Sequence, residues 1–181
     1  METAAIPPAT MDAAPCLAVA ATLLLQTLAT GKRVGEYGAG GSTLWLAQIA
    51  AEVISVEDNA AWFSVVTRYT SAFAHVEVRL VTTAGIPRGL AESDGLFDVL
   101  FVDPLPQKQR YQAIVAGAPL VRPGGWLVAD DYDFPHVKAG VKTLAGWDVA
   151  IVVGVKLHPV KRVLISTATA FCQRPQRDTL L

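Results

Sequence analysis

Two carboxylates, Glu36 and Glu57, each end a short apolar run, Arg33–Tyr37 and Val53–Glu57. After the first comes a glycine turn, Gly38-Ala39-Gly40-Gly41, and then Ser42 and Thr43. Glycines let backbone come close to a ligand and adopt positive φ without a Cβ clash. An acid at the tip of the second strand is placed to accept both hydroxyls of a ribose. Glu36, at the tip of the first, would repel a pyrophosphate but suits an ammonium group across a partly desolvated cleft. Together these residues describe a nucleoside pocket whose ligand carries a cation.

A dinucleotide fingerprint needs a third glycine for close helix–strand packing. Counted from Gly38 and Gly40, that position is Thr43, which is β-branched. The chain instead reads E-x-G-x-G-x-S over Glu36–Ser42. This resembles motif I of the class I S-adenosylmethionine-dependent methyltransferases, with Ser42 in place of the last glycine, as in small bacterial members of that family.

The resemblance implies roles residue by residue. Glu36 would sit near the ammonium of the methionine tail, and Gly38 and Gly40 would face the methionine portion. Ser42 and Thr43 would cap the helix or bond the ligand, capping being the simpler reading. Glu57 would hold the ribose, with Asp58 beside it. The family's adenine-binding Asp after the third strand is replaced by Val81-Thr82-Thr83, so a hydroxyl, Thr83, would accept from the adenine amino group. Trp62 would either lie against adenine or belong to the core. The bound species would be S-adenosylmethionine and its product S-adenosylhomocysteine.

Phe97–Asp103 resembles motif IV, which places Asp103 beside the sulfonium and the incoming acceptor. Asp103-Pro104-Leu105-Pro106 is only a faint match to the D-P-P-Y loop of amino-group methyltransferases, lacking its second proline and its aromatic. In a second comparison, Asp103, Asp130 and Asp131 stand where the metal-dependent catechol-type O-methyltransferases put an Asp and an Asp-Asn pair. Oxygen ligands of this kind would suit Mg²⁺. Two departures speak against a metal: Pro106 replaces that family's catalytic lysine, and Asp131 replaces its Asn. The candidate catalytic residues are therefore Asp103, Asp131 and His136, the last as a base that titrates near neutral pH. His158, Lys156, Lys161 and Arg162 gather about the last hairpin, where a solvated turn is the simplest account. His75 falls at the opposite edge.

Positioning these residues requires alternating strands and helices. An apolar run from Ala13 to Ala29 predicts an opening helix. Strands are expected at 33–37, 53–57, 76–81, 97–103 and 126–129, and helices at 43–50, 59–71, 107–120 and 136–144, with a short helical piece at 88–92. Such alternation makes a parallel, doubly wound sheet. The last two β-rich runs, 148–157 and 162–171, leave no room for a crossover helix, so the final strand turns back antiparallel. The expectation is a Rossmann-like α/β fold with a seven-stranded, mostly parallel sheet and helices on both faces. It forms a single domain over 1–181, with its core at about 13–171 and flexible ends at 1–10 and 173–181.

With 181 residues, the chain suffices for one such domain. Fifteen basic and sixteen acidic residues leave a net charge of −1, and no basic stripe marks a nucleic-acid partner. Its 52% hydrophobic content leaves open a homodimer that hides an apolar face. The Ala13–Ala29 run lacks a basic flank and is short of the roughly 20 residues needed to span a bilayer, so no membrane segment is expected. Cys16 and Cys172 fit neither a disulfide nor a zinc pattern and point to a reducing cytoplasm. The reading is a methyltransferase acting on oxygen or nitrogen of a small molecule. Its rivals are an inactive module that keeps the fold to bind a partner, and a nicotinamide-dependent enzyme.

Overall fold

The computed structural model describes residues 14–157 and 164–176. Twelve elements alternate in the order α1 (Val19–Ala29), β1 (Arg33–Tyr37), α2 (Gly41–Leu46), β2 (Glu52–Glu57), α3 (Ala60–Thr70), β3 (Val76–Leu80), β4 (Phe97–Val102), α4 (Gln109–Gly117), β5 (Val121–Ala129), α5 (Pro135–Lys142), β6 (Asp148–Leu157) and β7 (Leu164–Gln173). Short 3₁₀ turns at Thr83–Arg88 and Ala118–Leu120 follow β3 and α4. The seven strands form one sheet in the order β3-β2-β1-β4-β5-β7-β6. All pairs are parallel except β5–β7 and β7–β6. This is the expected Rossmann-like sheet with its antiparallel final strand.

Strand alternation splits the core into two layers, because successive side chains leave the sheet on opposite faces. From β4, Leu100 and Val102 pack with Tyr37, Ile54, Ile114, Leu127 and Val141 beneath α4 and α5. Val99 and Phe101 enter the other layer with Val34, Leu46, Val53 and Phe171, covered by Ala21 and Leu25 of α1. Central β1 and β4 are buried on both faces, as strands covered by helices on each side should be. At the far edge, β6 leaves Val149, Ile151, Val153 and Val155 exposed at every second position.

Several boundaries differ from the sequence reading. The opening helix begins at Val19, since Ala18 is extended at φ −62°, ψ 148°. Its methyl lies where a Cβ on Gly154 would come within 2.6 Å, so residues before α1 rest on β6 instead of continuing a helix. β5 starts at Val121, five residues earlier than expected, and a register shift between Phe97 and Val99 of β4 accommodates the Pro123-Gly124-Gly125 segment. The short helical piece falls at Thr83–Arg88, where Thr82 Oγ1 accepts from the Gly85 N–H at 3.1 Å. Gln173 pairs with Trp126 and Asp148, and the Arg174 N–H donates to the Gly125 carbonyl, so the ordered chain reaches past the expected end at 171. The expectations for 1–10, His158, Lys161 and Arg162 lie outside the described residues. Among those described, no helix is long and apolar enough to cross a membrane.

Candidate functional site

Parallel β1, β2, β4 and β5 end on one edge of the sheet. β7 runs against β5 and starts at that edge, and β6 runs against β7 and finishes there. With β3, which is parallel to β2, the edge gathers the tips of all seven strands, where open α/β sheets bind ligands.

The glycine turn is held from three sides. The Gly38 N–H donates to the Val56 carbonyl at 2.9 Å, and the Asp103 N–H to the Tyr37 carbonyl at 2.9 Å. Gly38 sits at φ +91°, and a Cβ there would lie 2.7 Å from both the Asp103 carbonyl oxygen and Pro104 Cα. Only glycine lets the loops after β1 and β4 touch in this way. The Trp62 indole N–H, from α3, donates to the Ala39 carbonyl at 2.7 Å. Trp62 thus braces the turn from behind. The Gly40 N–H donates to Thr43 Oγ1 at 2.8 Å at the start of α2.

Glu36 points inward, not into the cleft. It is wholly buried, accepting at Oε1 from Ser42 Oγ (2.5 Å) and at Oε2 from Thr43 Oγ1 (2.5 Å) and Ser55 Oγ (2.6 Å). Burial raises its pKa, and the three hydroxyls only partly offset this. Both carboxylate oxygens of Glu36 are thus engaged by hydroxyls, and those of Ser42 and Thr43 are committed to Glu36. The motif's acid, serine and threonine form a polar knot beneath the turn, tying β1, α2 and β2 together.

Glu57 is the acid that ends β2, and it is buried. Its Oε1 accepts from the Asn59 N–H at 2.9 Å, and Asn59 also caps α3 through the Trp62 N–H. Burial pushes the Glu57 carboxyl up to about 7, against the pull of backbone N–H groups that include Asn59 and Ala39. Asp58 accepts from Gln109 Nε2 of α4 at 3.4 Å. Gln109 is buried, and its Oε1 has no partner among the described residues. Sequence reading passed over Gln109, because in Gln107-Lys108-Gln109-Arg110 it looks like one more polar residue on a solvated helix start. Thr83 is exposed at the first 3₁₀ turn, and it is Thr82 that caps that turn.

Asp103, Asp130 and Asp131 do come together, each offering an oxygen within 4.8 Å of the others. They meet two cations. Lys156 Nζ, from β6, donates to Asp130 Oδ2 at 2.7 Å and Asp131 Oδ1 at 2.9 Å. Arg110 of α4 bridges Asp103 Oδ1 and Asp131 Oδ2, the latter at 2.8 Å, while its Nε donates to the Pro104 carbonyl at 3.2 Å. Thr169 and Thr167 of β7 donate to Asp130 Oδ1 (3.1 Å) and Asp131 Oδ1 (3.3 Å). Asp131 adopts φ 53°, a left-handed geometry that Asp tolerates better than most residues and that places its carboxylate between the cations.

Environment separates the three acids. Burial drives Asp103 upward, and Arg110 only partly reverses that. Burial likewise raises Asp130 despite Lys156. Burial would raise Asp131 too, but Arg110 and Lys156 outweigh it and the net direction is down. For Lys156, burial alone would lower the pKa, but Asp130 and Asp131 outweigh it and hold the amine protonated. It cannot serve as a base near neutral pH. Lys156 falls on the inward face of its strand with Val152 and Gly154, and a lysine there is the signal that marks it out. His136, the second residue of α5, stacks on Phe134 at 5.7 Å, and its Nε2 is buried with no partner among the described residues.

The model of a family described as a methyltransferase domain matches residues 36–132, just over half of the chain. A search of curated proteins finds no match. Among solved structures, the chain is similar to an O-methyltransferase from Bacillus cereus in complex with S-adenosylhomocysteine (18% identity, 83% of this chain and 77% of that one, TM-score 0.65). It is also similar to the O-methyltransferase TomG from Streptomyces achromogenes, involved in tomaymycin synthesis (20%, 83% and 76%, TM-score 0.65). The N-methyltransferase NodS from Bradyrhizobium japonicum WM9 aligns over 87% of this chain and 86% of its own at 16% identity, TM-score 0.65. With its motif, its strand order and this match, the chain belongs to the methyltransferase-domain family and has the fold of class I S-adenosylmethionine-dependent enzymes.

Proposed function

We propose that this protein binds S-adenosylmethionine at the tips of β1, β2 and β4 and transfers its methyl group to an oxygen or nitrogen of a small molecule. The observation that carries the reading is the contact of Gly38 with the Asp103-Pro104 backbone. It sets the glycine turn against the loop after β4, at the sheet edge where Glu57 ends β2 and where Asp130 and Asp131 follow β5. Gly38 and Gly40 would let the methionine portion approach the backbone, Glu57 would accept from the ribose hydroxyls, and Asp58 and Thr83 would bound the nucleoside. Glu36 serves by holding this turn in place from beneath. The two structural relatives solved with S-adenosylhomocysteine, one an O- and one an N-methyltransferase, support the cofactor and leave both acceptor atoms in play.

When bound, the sulfonium supplies an already activated methyl group. What the chain must add is alignment of the nucleophile and exclusion of water. Asp103, fixed by Arg110, borders the cleft where an acceptor would have to lie. It would orient the acceptor's O–H or N–H and take its proton. For a divalent ion the residues present are a poor fit, because Lys156 and Arg110 already engage the carboxylates that would ligate it.

Calorimetric titration with S-adenosylmethionine and S-adenosylhomocysteine, with NAD as control, tests the reading on wild type and Glu57→Ala. Micromolar binding of the first two, weakened at least about tenfold in the variant, is expected for a lost pair of ribose hydrogen bonds. Absence of binding to both would overturn it and leave a module that keeps the fold for another partner. A preference for NAD would make it a nicotinamide enzyme.

A further inference from the structure

We propose that Lys156 and Arg110 permanently fill the cation position among Asp103, Asp130 and Asp131, so that this chain supplies from its own side chains the positive charge a divalent ion would bring and functions without one. The acids arrive from the loops after β4 and β5, and the cations from β6 and α4, so the arrangement is wholly tertiary.

The hydrogen bonds account for the carboxylate oxygens one by one. Arg110 takes Asp103 Oδ1 and Asp131 Oδ2, Lys156 takes Asp130 Oδ2 and Asp131 Oδ1, and Thr169 takes Asp130 Oδ1. Every oxygen of the Asp130-Asp131 pair has a donor. An octahedral Mg²⁺ at about 2.1 Å from its ligands needs free carboxylate oxygens about 3 Å apart where they are adjacent and about 4 Å apart where they are opposite. Each acid offers an oxygen within 4.8 Å of the others, but the carboxylates already surround an ammonium and a guanidinium. An incoming ion would have to displace Lys156, which is 8% exposed.

The surroundings hold the ammonium in place. Gly154, two residues before Lys156 on the same face of β6, admits Ala18 at a distance no side chain would allow. That contact lays the segment before α1 along β6 and brings Cys16 into the field of the cluster. Burial raises the Cys16 thiol, Lys156 pulls it back, and the three aspartates raise it. Two cations against three carboxylates leave about one negative charge if all are ionised, so the cluster is almost self-compensated. Lys156 and Arg110 are positioning residues for Asp103 and Asp131, and Asp103 keeps the outward place beside the glycine turn.

The test is metal binding, which can be read without an acceptor and without the cofactor. Electron paramagnetic resonance with Mn²⁺ as the probe is run on the full chain, on Lys156→Met and on the double variant Lys156→Met/Asp130→Asn. Wild type should take up no Mn²⁺ at about 1 mM, whereas Lys156→Met, which keeps the stem and removes the charge, should gain one site at least about tenfold tighter. The double variant should lose it again. A stoichiometric site on wild type below about 100 µM that disappears in Asp131→Asn would overturn the proposal. So would a folded Lys156→Met that binds nothing. If Lys156→Met does not fold, the wild-type titration decides alone: silence supports the self-supplied cations, and an ion lost with Asp131→Asn refutes them.

Discussion

The indole Nε1 of Trp62 and the carbonyl of Ala39 lie 2.7 Å apart, joining the second turn-helix unit to the glycine turn of the first. An aromatic residue in α3 thereby holds the backbone of the turn proposed to face the cofactor. Trp62→Phe keeps an aromatic side chain and removes the N–H. The loss of one half-buried hydrogen bond should cost about 1 kcal/mol, or roughly fivefold in S-adenosylhomocysteine affinity, while thermal stability changes little. Calorimetry beside a melting curve separates the two, and a variant with unaltered affinity would show that the turn is held without it.

Glu57 predicts a pH dependence in which stability and binding move in opposite directions. Its folded pKa, near 7, lies above the ordinary value of 4.5. A raised carboxyl contributes stability that is complete below the ordinary value and is lost as pH rises through the folded one. The ribose hydroxyls, by contrast, donate best to the ionised form. S-adenosylhomocysteine should therefore bind more tightly as pH rises from about 6 to 8, with the change centred near 7. Glu57→Gln should flatten the profile, and a wild-type profile that is already flat would count against the carboxyl.

The knot beneath the turn should matter for folding. Ser55→Ala removes one of the three hydroxyls on Glu36 and should cost about 1–2 kcal/mol in urea unfolding. Glu36→Ala strands all three and should cost about 3 kcal/mol or more. Because burial raises Glu36, wild type should gain on Glu36→Gln as pH falls from neutrality toward the ordinary carboxyl range. An affinity loss in Glu36→Gln without a stability loss would instead return Glu36 to the ligand.

Gly38→Ala forces a Cβ at positive φ against the Asp103-Pro104 backbone. Strain and overpacking together should destabilise by about 3 kcal/mol. A β4 loop pushed outward should also abolish S-adenosylhomocysteine binding. Gly146, also at positive φ but with nothing within 4 Å of a Cβ, is the control: Gly146→Ala should cost only the strain and leave affinity intact.

Much of the fold could be read from local pattern. Val-Leu-Phe-Val in β4 is continuous because helices cover both faces of a central strand, and the 148–157 and 164–173 runs pair antiparallel because nothing between them can cross over. Patterning was silent where a tertiary contact overrode it. Ala13–Ala29 reads as one helix, yet Ala18 is extended because Gly154 offers it a seat. The strand is expected only from 126, yet a shifted register carries Arg122–Gly125 into β5 as well.

The candidate site divides along the same line. The order of residues alone set out the glycine turn, the acids at the strand tips and the family motif, since those features lie within a few residues of each other and their geometry is local. Only the folded sheet decided what each acid meets: Glu36 the hydroxyls of Ser42, Thr43 and Ser55, and Glu57 the backbone N–H of Asn59. It also decided that Asp130 and Asp131 are answered by Lys156 from β6 and Arg110 from α4. Charge compensation acts across space between elements far apart in the chain, and nothing in the local sequence around an aspartate records which cation the fold will bring to it.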